Sequence, residues 1–528
     1  MDRSKVILLI YTLKYLKLKQ IYYQFFYKIR GVFFKNKYSK FLAQKGNTLN
    51  WKDSFSYPNS FSEEGIFVFV NQVYECKDSI DWNFKKYGKL WTYNLNYFDF
   101  LNQENITKEQ GLVLIQNYLS QDSILKDGKE PYPISLRGIN WIKFLSKHKI
   151  ADHHIDQTLY NHYQILTNNL EYHLLGNHLL ENGYSLLFGA YYFKDERFYK
   201  KAKNILTEEL KEQILEDGAH FELSPMYHQI LLHRLLDCIN LINLNSWKEK
   251  EDFVEHLKVK AISMLGWLNE ITFRNGTIPM VNDSTYDIAP SSKQLFTYAE
   301  KIGLQLNSVK LSDSGYRMIR KSNYELFVDV GDIGPSYQPG HAHSDTFNFE
   351  LYIENKPFIV DTGISTYEKN SIRLEQRQTA SHNTVKIDDK EQSEVWDGFR
   401  VARRAKIVQL KEKQNYIEAT HNGYKKLNLL HKRIFITEDS KIEIIDEIPN
   451  GKKSKKIAFL HIHPEIGDFK ISGNNVNFSK GSFNIQFKGD SLNIEISDYD
   501  YCLGFNRTRK AKKIAVMFEN NLSTQINL

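Results

Sequence analysis

The sequence is poor in cysteine and has no long hydrophobic run near its beginning. Three cysteines, Cys76, Cys238 and Cys502, are spread over 528 residues. Their odd number and wide spacing argue against a disulfide framework and against a CxxC zinc site. The longest N-terminal apolar run, residues 6–13, is too short to span a bilayer and lacks a small-residue cleavage site. We therefore expect neither a transmembrane helix nor a secretory signal there.

Acidic residues are nearly missing from the first forty positions. These positions hold ten lysines and arginines but one acid, whereas the whole chain carries a mild formal charge of +7. The pattern predicts a basic amphipathic leading helix within residues 1–40, which suits an anionic membrane surface or an anionic polymer. A helix packed against the rest of the protein is the alternative. No DNA- or RNA-binding motif is present, so we expect no nucleic-acid partner.

The rest of the chain divides into a helical part and a strand-rich part. Hydrophobic residues make up 41% and charged residues 25%, which is typical of a globular protein, and the length implies two or three domains. Residues 31–105 are aromatic and irregular. Eight helical segments follow, joined by short links, which favours an α/α toroid over residues 41–310. Their ranges are 107–119, 140–145, 155–170, 178–192, 196–214, 225–244, 253–271 and 292–302.

Short strands replace helices after residue 312. Between residues 316 and 518 they alternate with turn signals such as Asn422-Gly423 and Asn450-Gly451. Strands without intervening helices indicate an antiparallel β-sandwich over residues 311–528. The predicted fold class is thus α+β multidomain, with an N-terminal α/α toroid followed by a C-terminal sandwich.

The motif GHAHSDTFNFEL lies early in the strand-rich part. His341 and His343 form an H-x-H pair, and if this pair begins the strand predicted around residues 346–353, both rings point to the same face. His343, Asp361 of VDTG and His382 of SHNTV then lie at three neighbouring strand ends. Two imidazoles and one carboxylate are a common zinc set. The alternative is three unrelated polar residues that satisfy turns.

Two further motifs lie on predicted helices. In GNHLLENGYS, residues His178, Glu181, Asn182 and Ser185 follow i, i+3, i+4, i+7 spacing, which favours a cavity lining over a solvated face. In HFELSPMYHQ, Ser224 and Pro225 predict a helix start that places Tyr227 in the first turn. Tyr227 there could act as an acid or a base, or could simply pack beneath the cap.

Taken together, these motifs suit β-elimination on a uronate polysaccharide. The reaction needs a group that neutralises the sugar carboxylate, a base for the C5 proton and an acid for the leaving O4. Asn and His can provide the first, and Tyr can serve in either of the other roles. No organic cofactor is required.

The chain resembles the heparinase II/III family of polysaccharide lyases through GHAHSDTFNFEL with VDTG and SHNTV, and through NHLLEN and SPMYH. The resemblance implies a toroid joined to a sandwich, and it assigns the catalytic roles to Asn177, His178, Tyr227 and His341. Glu181 resembles the family's neighbouring acid, and Tyr367 and Arg373 follow in a loop expected to border the cleft. We expect these three residues to bind substrate. His343, Asp361 and His382 resemble the zinc ligands of some members, so Zn2+ is the expected cofactor.

The leading basic segment resembles that of relatives encoded with surface-polysaccharide biosynthesis. The resemblance therefore implies a bacterial acidic exopolysaccharide as substrate, more than heparin itself. It points to the cell envelope or periplasm, while the missing signal peptide keeps the cytoplasm open. Two other functions remain: a non-catalytic glycan-binding or assembly protein, and a glycoside hydrolase that would need Glu181 and Glu222 as its carboxylate pair.

Overall fold

The computed structural model describes residues 3–33, 40–42, 45–62, 64–76, 79–248, 252–451, 453–479 and 483–528. The predicted leading segment 1–40 therefore lies partly outside the described residues. Its described part forms two helices, α1 (Arg3–Leu13) and α2 (Leu18–Phe33), where one helix was expected. In the described part of the chain, no helix has both the length and the apolarity needed to cross a bilayer.

The helical region begins earlier than expected. After a hairpin of β1 (Ile66–Phe69) and β2 (Gln72–Glu75), helix α3 spans Lys89–Tyr97. Residues 90–101 were expected to be irregular, but helix α3 and the turn that follows it bury the rings of Trp91, Phe98 and Phe100 in the helical core. Burial of large aromatic rings stabilises this segment, although its sequence shows no clear helical period.

Helices α4 to α11 form the body of the first domain and share one hydrophobic core. Several begin at side-chain caps, as in the capping box of Thr107 with Gln110. Helix α5, expected over six residues, is far longer. The helices are α4 (Lys108–Ser120), α5 (Pro131–Lys147), α6 (His153–Asn168), α7 (Gly176–Phe193), α8 (Glu196–Gln213), α9 (Pro225–Leu244), α10 (Asp252–Ile271) and α11 (Ser292–Lys301).

The second domain is built from antiparallel sheets around a second core. The strands before and around the short helix α12 (Ser371–Gln376) are β3 (Tyr316–Arg320), β4 (Tyr324–Asp329), β5 (Phe349–Ile353), β6 (Lys356–Ile359), β7 (Val385–Ile387), β8 (Val395–Trp396) and β9 (Arg400–Val401). Those that follow are β10 (Ile407–Lys413), β11 (Tyr416–His421), β12 (His431–Thr437), β13 (Lys441–Glu447), β14 (Lys456–His461), β15 (Phe469–Ser472), β16 (Asn475–Phe478), β17 (Asn484–Gly489), β18 (Asn493–Gly504), β19 (Arg507–Phe518) and β20 (Asn521–Asn527).

Three sheets account for most of these strands. An eight-stranded sheet has the order β10-β11-β12-β13-β20-β17-β16-β15, and a four-stranded sheet has the order β18-β19-β14-β7. The third sheet, β3-β4-β5-β6, joins the two domains because its faces belong to different cores. Phe327 and Tyr352 pack into the helical core, whereas Leu326, Val328 and Leu351 pack into the sandwich core. Side chains alternate across a strand, so one sheet can serve both.

The H-x-H pair does not begin a strand, contrary to the prediction. Strand β5 starts only at Phe349, and residues 341–348 form turns. Phe347 has φ 72, which breaks an extended conformation. The backbone N–H of His343 donates to the side-chain oxygen of Asn282 at 2.9 Å, where a strand would donate to a neighbouring strand. The segment is thus fixed by side chains of the helical domain.

Candidate active site

The N-terminus of helix α7 is held by a buried carboxylate. Glu222 accepts hydrogen bonds from the Asn177 backbone N–H at 2.9 Å and from the Asn177 amide nitrogen at 2.9 and 3.1 Å. The anion lies at the positive end of the helix. Gly176 has φ +59, and a Cβ there would lie 2.5 Å from a Glu222 oxygen. Only glycine allows this close approach.

The N-terminus of helix α9 positions Tyr227, as the sequence predicts. The Ser224 hydroxyl accepts a hydrogen bond from the Tyr227 backbone N–H at 3.3 Å, and Pro225 begins the helix. The Tyr227 hydroxyl accepts a hydrogen bond from the Tyr367 hydroxyl at 3.3 Å. Burial raises the pKa of Tyr227 above its ordinary value, and the hydrogen bond from Tyr367 opposes that rise only in part. Tyr227 is therefore protonated at neutral pH.

His341 is oriented by Asp283, a residue that the sequence motifs did not identify. Nδ1 of His341 lies 2.8 Å from Oδ2 of Asp283, so Nδ1 carries the proton in the neutral ring and Nε2, 3.5 Å from a Glu222 oxygen, is the nitrogen that can accept one. Asp283 also contacts Nε2 of His343 at 2.9 Å and accepts from Arg373 at 2.7 Å. Burial alone would raise the pKa of Asp283, but the Arg373 and histidine contacts hold it well below its ordinary value.

Three of the predicted catalytic residues converge from both domains. The rings of Tyr227 and His341 have centroids 4.0 Å apart. The Asn177 amide nitrogen lies 3.4 Å from Nε2 of His341. One sugar residue placed here would meet an amide, a phenol and an imidazole.

His178 lies on the same helix turn as Asn177 and is paired with Glu171. Its Nδ1 lies 2.9 Å from a Glu171 oxygen, and its side chain is 29% exposed. Burial lowers the pKa of His178, but the Glu171 carboxylate outweighs burial and leaves that pKa raised above its ordinary value. His178 is thus disposed to be cationic, with Tyr132 packed against its ring. A cation so placed can face a sugar carboxylate.

Asn182 and Ser185 of helix α7 are fully buried, which rules out the solvated-face alternative for them. The Asn182 amide donates to Glu171 at 2.9 Å, and the Ser185 hydroxyl donates to Tyr163 at 3.2 Å. These contacts are structural. Glu171 was missed because its partners His178 and Asn182 lie seven and eleven positions away, beyond a single helix face.

Glu181, predicted to bind substrate, is fully buried below His178. None of the described residues hydrogen-bonds either of its carboxylate oxygens, and the nearest cation is Arg234, whose Nε lies 3.7 Å away. Burial raises the pKa of Glu181 to about 7, although Arg234 opposes this. The glycoside hydrolase alternative needs Glu181 and Glu222 to face one another across an open cleft. Glu222 instead fastens helix α7, so this alternative has no support.

Tyr367 and Arg373 lie on the sandwich side of the site, as expected of a loop that borders the cleft. Arg373 is fully buried in helix α12, where it pairs with Asp283, and its guanidinium lies 5.1 Å from the Tyr367 ring centroid. Tyr367 in turn reaches Tyr227. The arginine therefore acts on the site through its neighbours, because its own side chain is out of contact with solvent.

The predicted zinc ligands His343, Asp361 and His382 are fully buried beside this site. Nδ1 of His382 lies 2.7 Å from Oδ2 of Asp361, and the two histidine rings have centroids 5.3 Å apart. Nδ1 of His343 and Nε2 of His382 have no hydrogen-bond partner among the described residues. Two free imidazole nitrogens and a carboxylate fit zinc chemically. Within the described ranges, however, no three such side chains are gathered as a metal site requires, so zinc stays a prediction.

Left-handed backbone conformations mark the segments that carry the site. Leu175 (φ 64) directly precedes helix α7, Leu223 (φ 55) precedes the cap of helix α9, and Asn282 (φ 53) precedes Asp283. Such conformations are costly for residues other than glycine and concentrate at functional sites. Here they turn three separate chain segments toward one point.

Comparison with known proteins gives the same two-part division. A family model described as heparinase II/III N-terminus matches residues 134–302, and one described as heparinase II/III-like, C-terminal matches residues 305–528. Heparin-sulfate lyase from Bacteroides stercoris is 24% identical over 335 residues, covering 58% of this chain and 48% of that protein. Heparin-sulfate lyase from Pedobacter heparinus is 29% identical over 245 residues, covering 40% and 36%. The chain thus spans about half or less of the length of these relatives.

Solved structures share the fold over most of the chain. A structure of heparinase III superposes with a TM-score of 0.63 at 16% identity, covering 90% of this chain and 82% of the other. Heparan sulfate lyase HepC from Pedobacter heparinus superposes with a TM-score of 0.56 at 17% identity, covering 88% and 81%. These likenesses confirm the predicted architecture of an α/α toroid followed by a β-sandwich. Since the two family models together match nearly all of residues 134–528, the chain belongs to the heparinase II/III-like family.

Proposed function

We propose that the protein is a polysaccharide lyase, which cleaves an acidic, uronate-containing polysaccharide by β-elimination and leaves a 4,5-unsaturated uronate end. The observation that carries the proposal is the meeting of Tyr227, His341 and Asn177 at the junction of the two domains. Relatives of this chain are named as heparin-sulfate lyases, which supports the same reaction class. A binding protein would not need a phenol and a tautomer-fixed imidazole at one point.

The sugar carboxylate is neutralised from the toroid side. The His178 cation and the Asn177 amide both lie at the first turn of helix α7, where the helix dipole favours an anion. Neutralising the carboxylate makes the C5 proton more acidic, because the charge that develops at C5 spreads into the carboxylate. Glu222 holds the Asn177 amide in place from behind.

The proton steps follow from the protonation states of two residues. Nε2 of His341, free of a proton because Nδ1–H faces Asp283, removes the C5 proton. The C4–O4 bond then breaks, the C4–C5 double bond forms, and the Tyr227 hydroxyl gives its proton to O4. This leaves His341 protonated and Tyr227 ionised, so a return proton from His341 to Tyr227, directly or through water, restores the site.

Zinc binding belongs to the proposal, with His343, Asp361 and His382 as the residues that would hold it. When bound, zinc would fix the turn that carries His341, which is two residues before His343. The elimination itself needs only the side chains of this chain. Contact of residues 1–40 with a membrane is a separate proposal, supported by the leading helices, and the lyase chemistry does not depend on it.

A screen of acidic polysaccharides tests the function. Purified protein is incubated with heparan sulfate, chondroitin sulfate, hyaluronan, alginate and bacterial acidic exopolysaccharides, and ultraviolet absorbance of the conjugated double bond is followed. We expect new absorbance with at least one uronate polymer, with a bacterial exopolysaccharide the expected best substrate. Saturated reducing ends without that absorbance would indicate hydrolysis, and binding without cleavage would indicate a glycan-binding protein.

A further inference from the structure

One face of helix α2 carries Gln20, Tyr27 and Arg30 and is turned toward the protein. The Tyr27 hydroxyl donates to the Leu170 carbonyl at 2.6 Å, and Arg30 donates to the Asn168 carbonyl at 2.6 Å. Gln20 is 3% exposed. These residues follow helical spacing and so define the face that is fastened to the toroid.

The opposite face of helix α2 is apolar and exposed. Phe25 is 63% exposed and Ile29 is 55% exposed, although large apolar side chains normally lie inward. The exposed residues recur at i, i+3, i+4, i+7, i+8, i+11 and i+14, which makes one continuous stripe along the helix. We call this stripe the α2 apolar face, and it consists of Leu18, Ile21, Tyr22, Phe25, Phe26, Ile29 and Val32. Ile7, Ile10 and Leu13 of helix α1 are also exposed.

The charged residues around the α2 apolar face indicate which kind of partner can cover it. Residues 3–33 contain no aspartate or glutamate. Lys19 and Lys28 are exposed and lie on either side of the α2 apolar face, although the Lys19 ammonium also lies 4.5 Å from the centroid of the Tyr172 ring. The same segment of a second copy would bring more lysines and no carboxylate to this face, whereas anionic lipid headgroups would pair with the lysines. An apolar stripe between lysines is the pattern of a helix that lies in a bilayer interface.

The same helix is tied to the segments that lead into the candidate active site. The Gln20 amide donates to the Leu174 carbonyl at 3.1 Å and to the Tyr337 carbonyl at 3.5 Å. Leu174 lies three residues before Asn177, and Tyr337 lies four residues before His341. Helix α2 is therefore a fixed part of the body, and whatever surface it binds is held beside the site.

We propose that the α2 apolar face binds the surface of an anionic membrane and holds the domain junction with its candidate site next to that surface. The apolar side chains enter the headgroup region, and Lys19 and Lys28 contact the anionic headgroups. The inference does not depend on the lyase chemistry.

Vesicle sedimentation with the full-length protein tests this inference. The two probes are vesicles of phosphatidylcholine alone and vesicles with roughly 30% phosphatidylglycerol added as anionic lipid. The test variant is Phe25→Ser with Ile29→Ser. Its matched control is Val259→Ser with Val408→Ser, since those two valines are 61% and 52% exposed elsewhere on the molecule. A second variant, Lys19→Gln with Lys28→Gln, removes both flanking charges and, at Lys19, the contact with the Tyr172 ring.

We expect the wild type to bind the anionic vesicles and the control pair to bind equally well. Loss of the two apolar anchors should weaken binding about tenfold or more. Loss of each lysine should weaken binding to the anionic vesicles roughly fivefold. Circular dichroism verifies that each variant is folded, and the lysine variant remains informative if the serine variant is not.

Two outcomes would overturn the inference. Equal sedimentation of the wild type with both kinds of vesicle would show that anionic lipid is not the ligand. A dimer in light scattering that the Phe25→Ser, Ile29→Ser variant dissociates would show that a second copy covers the face. Cleavage of a soluble polysaccharide is measured in parallel. It tests the lyase proposal separately, so that failure of membrane binding and failure of catalysis can be told apart.

Discussion

The Asp283 carboxylate joins His341 to His343, the two histidines of the H-x-H pair. Oδ2 lies 2.8 Å from Nδ1 of His341, and Oδ1 lies 2.9 Å from Nε2 of His343. One buried anion on the helical side thus sets the orientation of a candidate base and of a candidate zinc ligand on the sandwich side. The junction of the two domains is where the proposed chemistry is assembled.

Asp283 should act as a positioning residue. In Asp283→Asn, the amide can no longer accept from His341 and Arg373 together, so the imidazole can adopt the other tautomer. We expect kcat to fall about a hundredfold or more while KM changes little. The pH profile of kcat should shift as well, which a purely structural defect would not cause.

Arg373→Lys provides the comparison for Asp283. The variant keeps a cation beside Asp283 but loses the bidentate contact of the guanidinium. A smaller loss of kcat than in Asp283→Asn is therefore expected. Equal and complete loss in both variants, with lowered thermal stability, would mean that Asp283 serves folding alone.

Tyr227 should be the proton donor to the leaving oxygen. Tyr227→Phe keeps the ring packed against His341 but removes the proton, and a loss of about a hundredfold to ten-thousandfold in kcat is expected. The matched control is Tyr367→Phe, which removes only the hydrogen bond to the Tyr227 hydroxyl. Its kcat should fall far less. Full activity of Tyr227→Phe, measured as ultraviolet absorbance of product, would exclude the proposed role.

Gly176 should be irreplaceable for a reason beyond its backbone angle. In Gly176→Ala the new Cβ would lie 2.5 Å from Glu222, and the strain of a positive φ is added. Gly303→Ala isolates the second effect, since Gly303 has φ +84 and no atom within 4 Å of the new Cβ. We expect Gly303→Ala to cost about 1 kcal/mol in stability and Gly176→Ala roughly 2–4 kcal/mol.

Gly176→Ala should also lose activity, because Asn177 moves with helix α7. Urea unfolding and the lyase assay measure the two effects. An equal loss of unfolding free energy in Gly176→Ala and Gly303→Ala would contradict the predicted clash with Glu222.

Asp446 should make stability depend on acid pH. Burial would raise its pKa, but Arg433 and His431 lower it from 3.8 to about 2. The Asp446 carboxyl is therefore a stronger acid in the folded than in the unfolded protein. Its contribution to the free energy of unfolding is complete above pH 4 and is lost as the pH falls toward 2. The shift corresponds to about 2 kcal/mol at pH 7.

Urea unfolding at pH 7 and near pH 2 checks this prediction for Asp446. Asp446→Asn should lose stability at pH 7, and the difference from the wild type should narrow in acid. Asp500→Asn, at an exposed ion pair with Lys510, is the control and should differ little from the wild type at either pH. A difference for Asp446→Asn that is constant with pH would refute the linkage.

Zinc should copurify with the protein if the buried imidazoles bind it. We expect about one zinc per chain by elemental analysis, and loss of that zinc in His382→Ala. Removal by a chelator should lower the melting temperature. His148→Ala, at a histidine far from the set, is the control. Metal-free wild-type protein with unchanged activity would refute the zinc prediction.

Local sequence signals predicted the parts of the site that depend on local physics. Ser224 and Pro225 mark a helix start, and the structure places Tyr227 in the first turn as expected. The H-x-H pair was assigned to a strand because alternating apolar residues follow it, but the backbone turns at Phe347. The segment before that turn is held by the His343 backbone N–H, which donates to the Asn282 side chain 61 positions away, and periodicity cannot report such a contact.

Asp283 was missed as a site residue, and Glu222 was considered only as a hydrolase carboxylate, for a related reason. Asp283 lies in VNDST, a short polar segment between helices that looks like an ordinary loop. Its importance arises from partners 58, 60 and 90 positions further along the chain. Glu222 lies inside a motif that was recognised, but its contact with helix α7 spans 45 positions. Only tertiary structure reveals such pairings.

In the sheet β3-β4-β5-β6, Phe327 packs into the helical core and Leu326 packs into the sandwich core. Separating the two domains between helix α11 and strand β3 would therefore expose one face of this sheet to solvent. Each fragment would then carry an exposed apolar surface. We expect the two halves to melt in a single cooperative transition and to precipitate when they are produced apart.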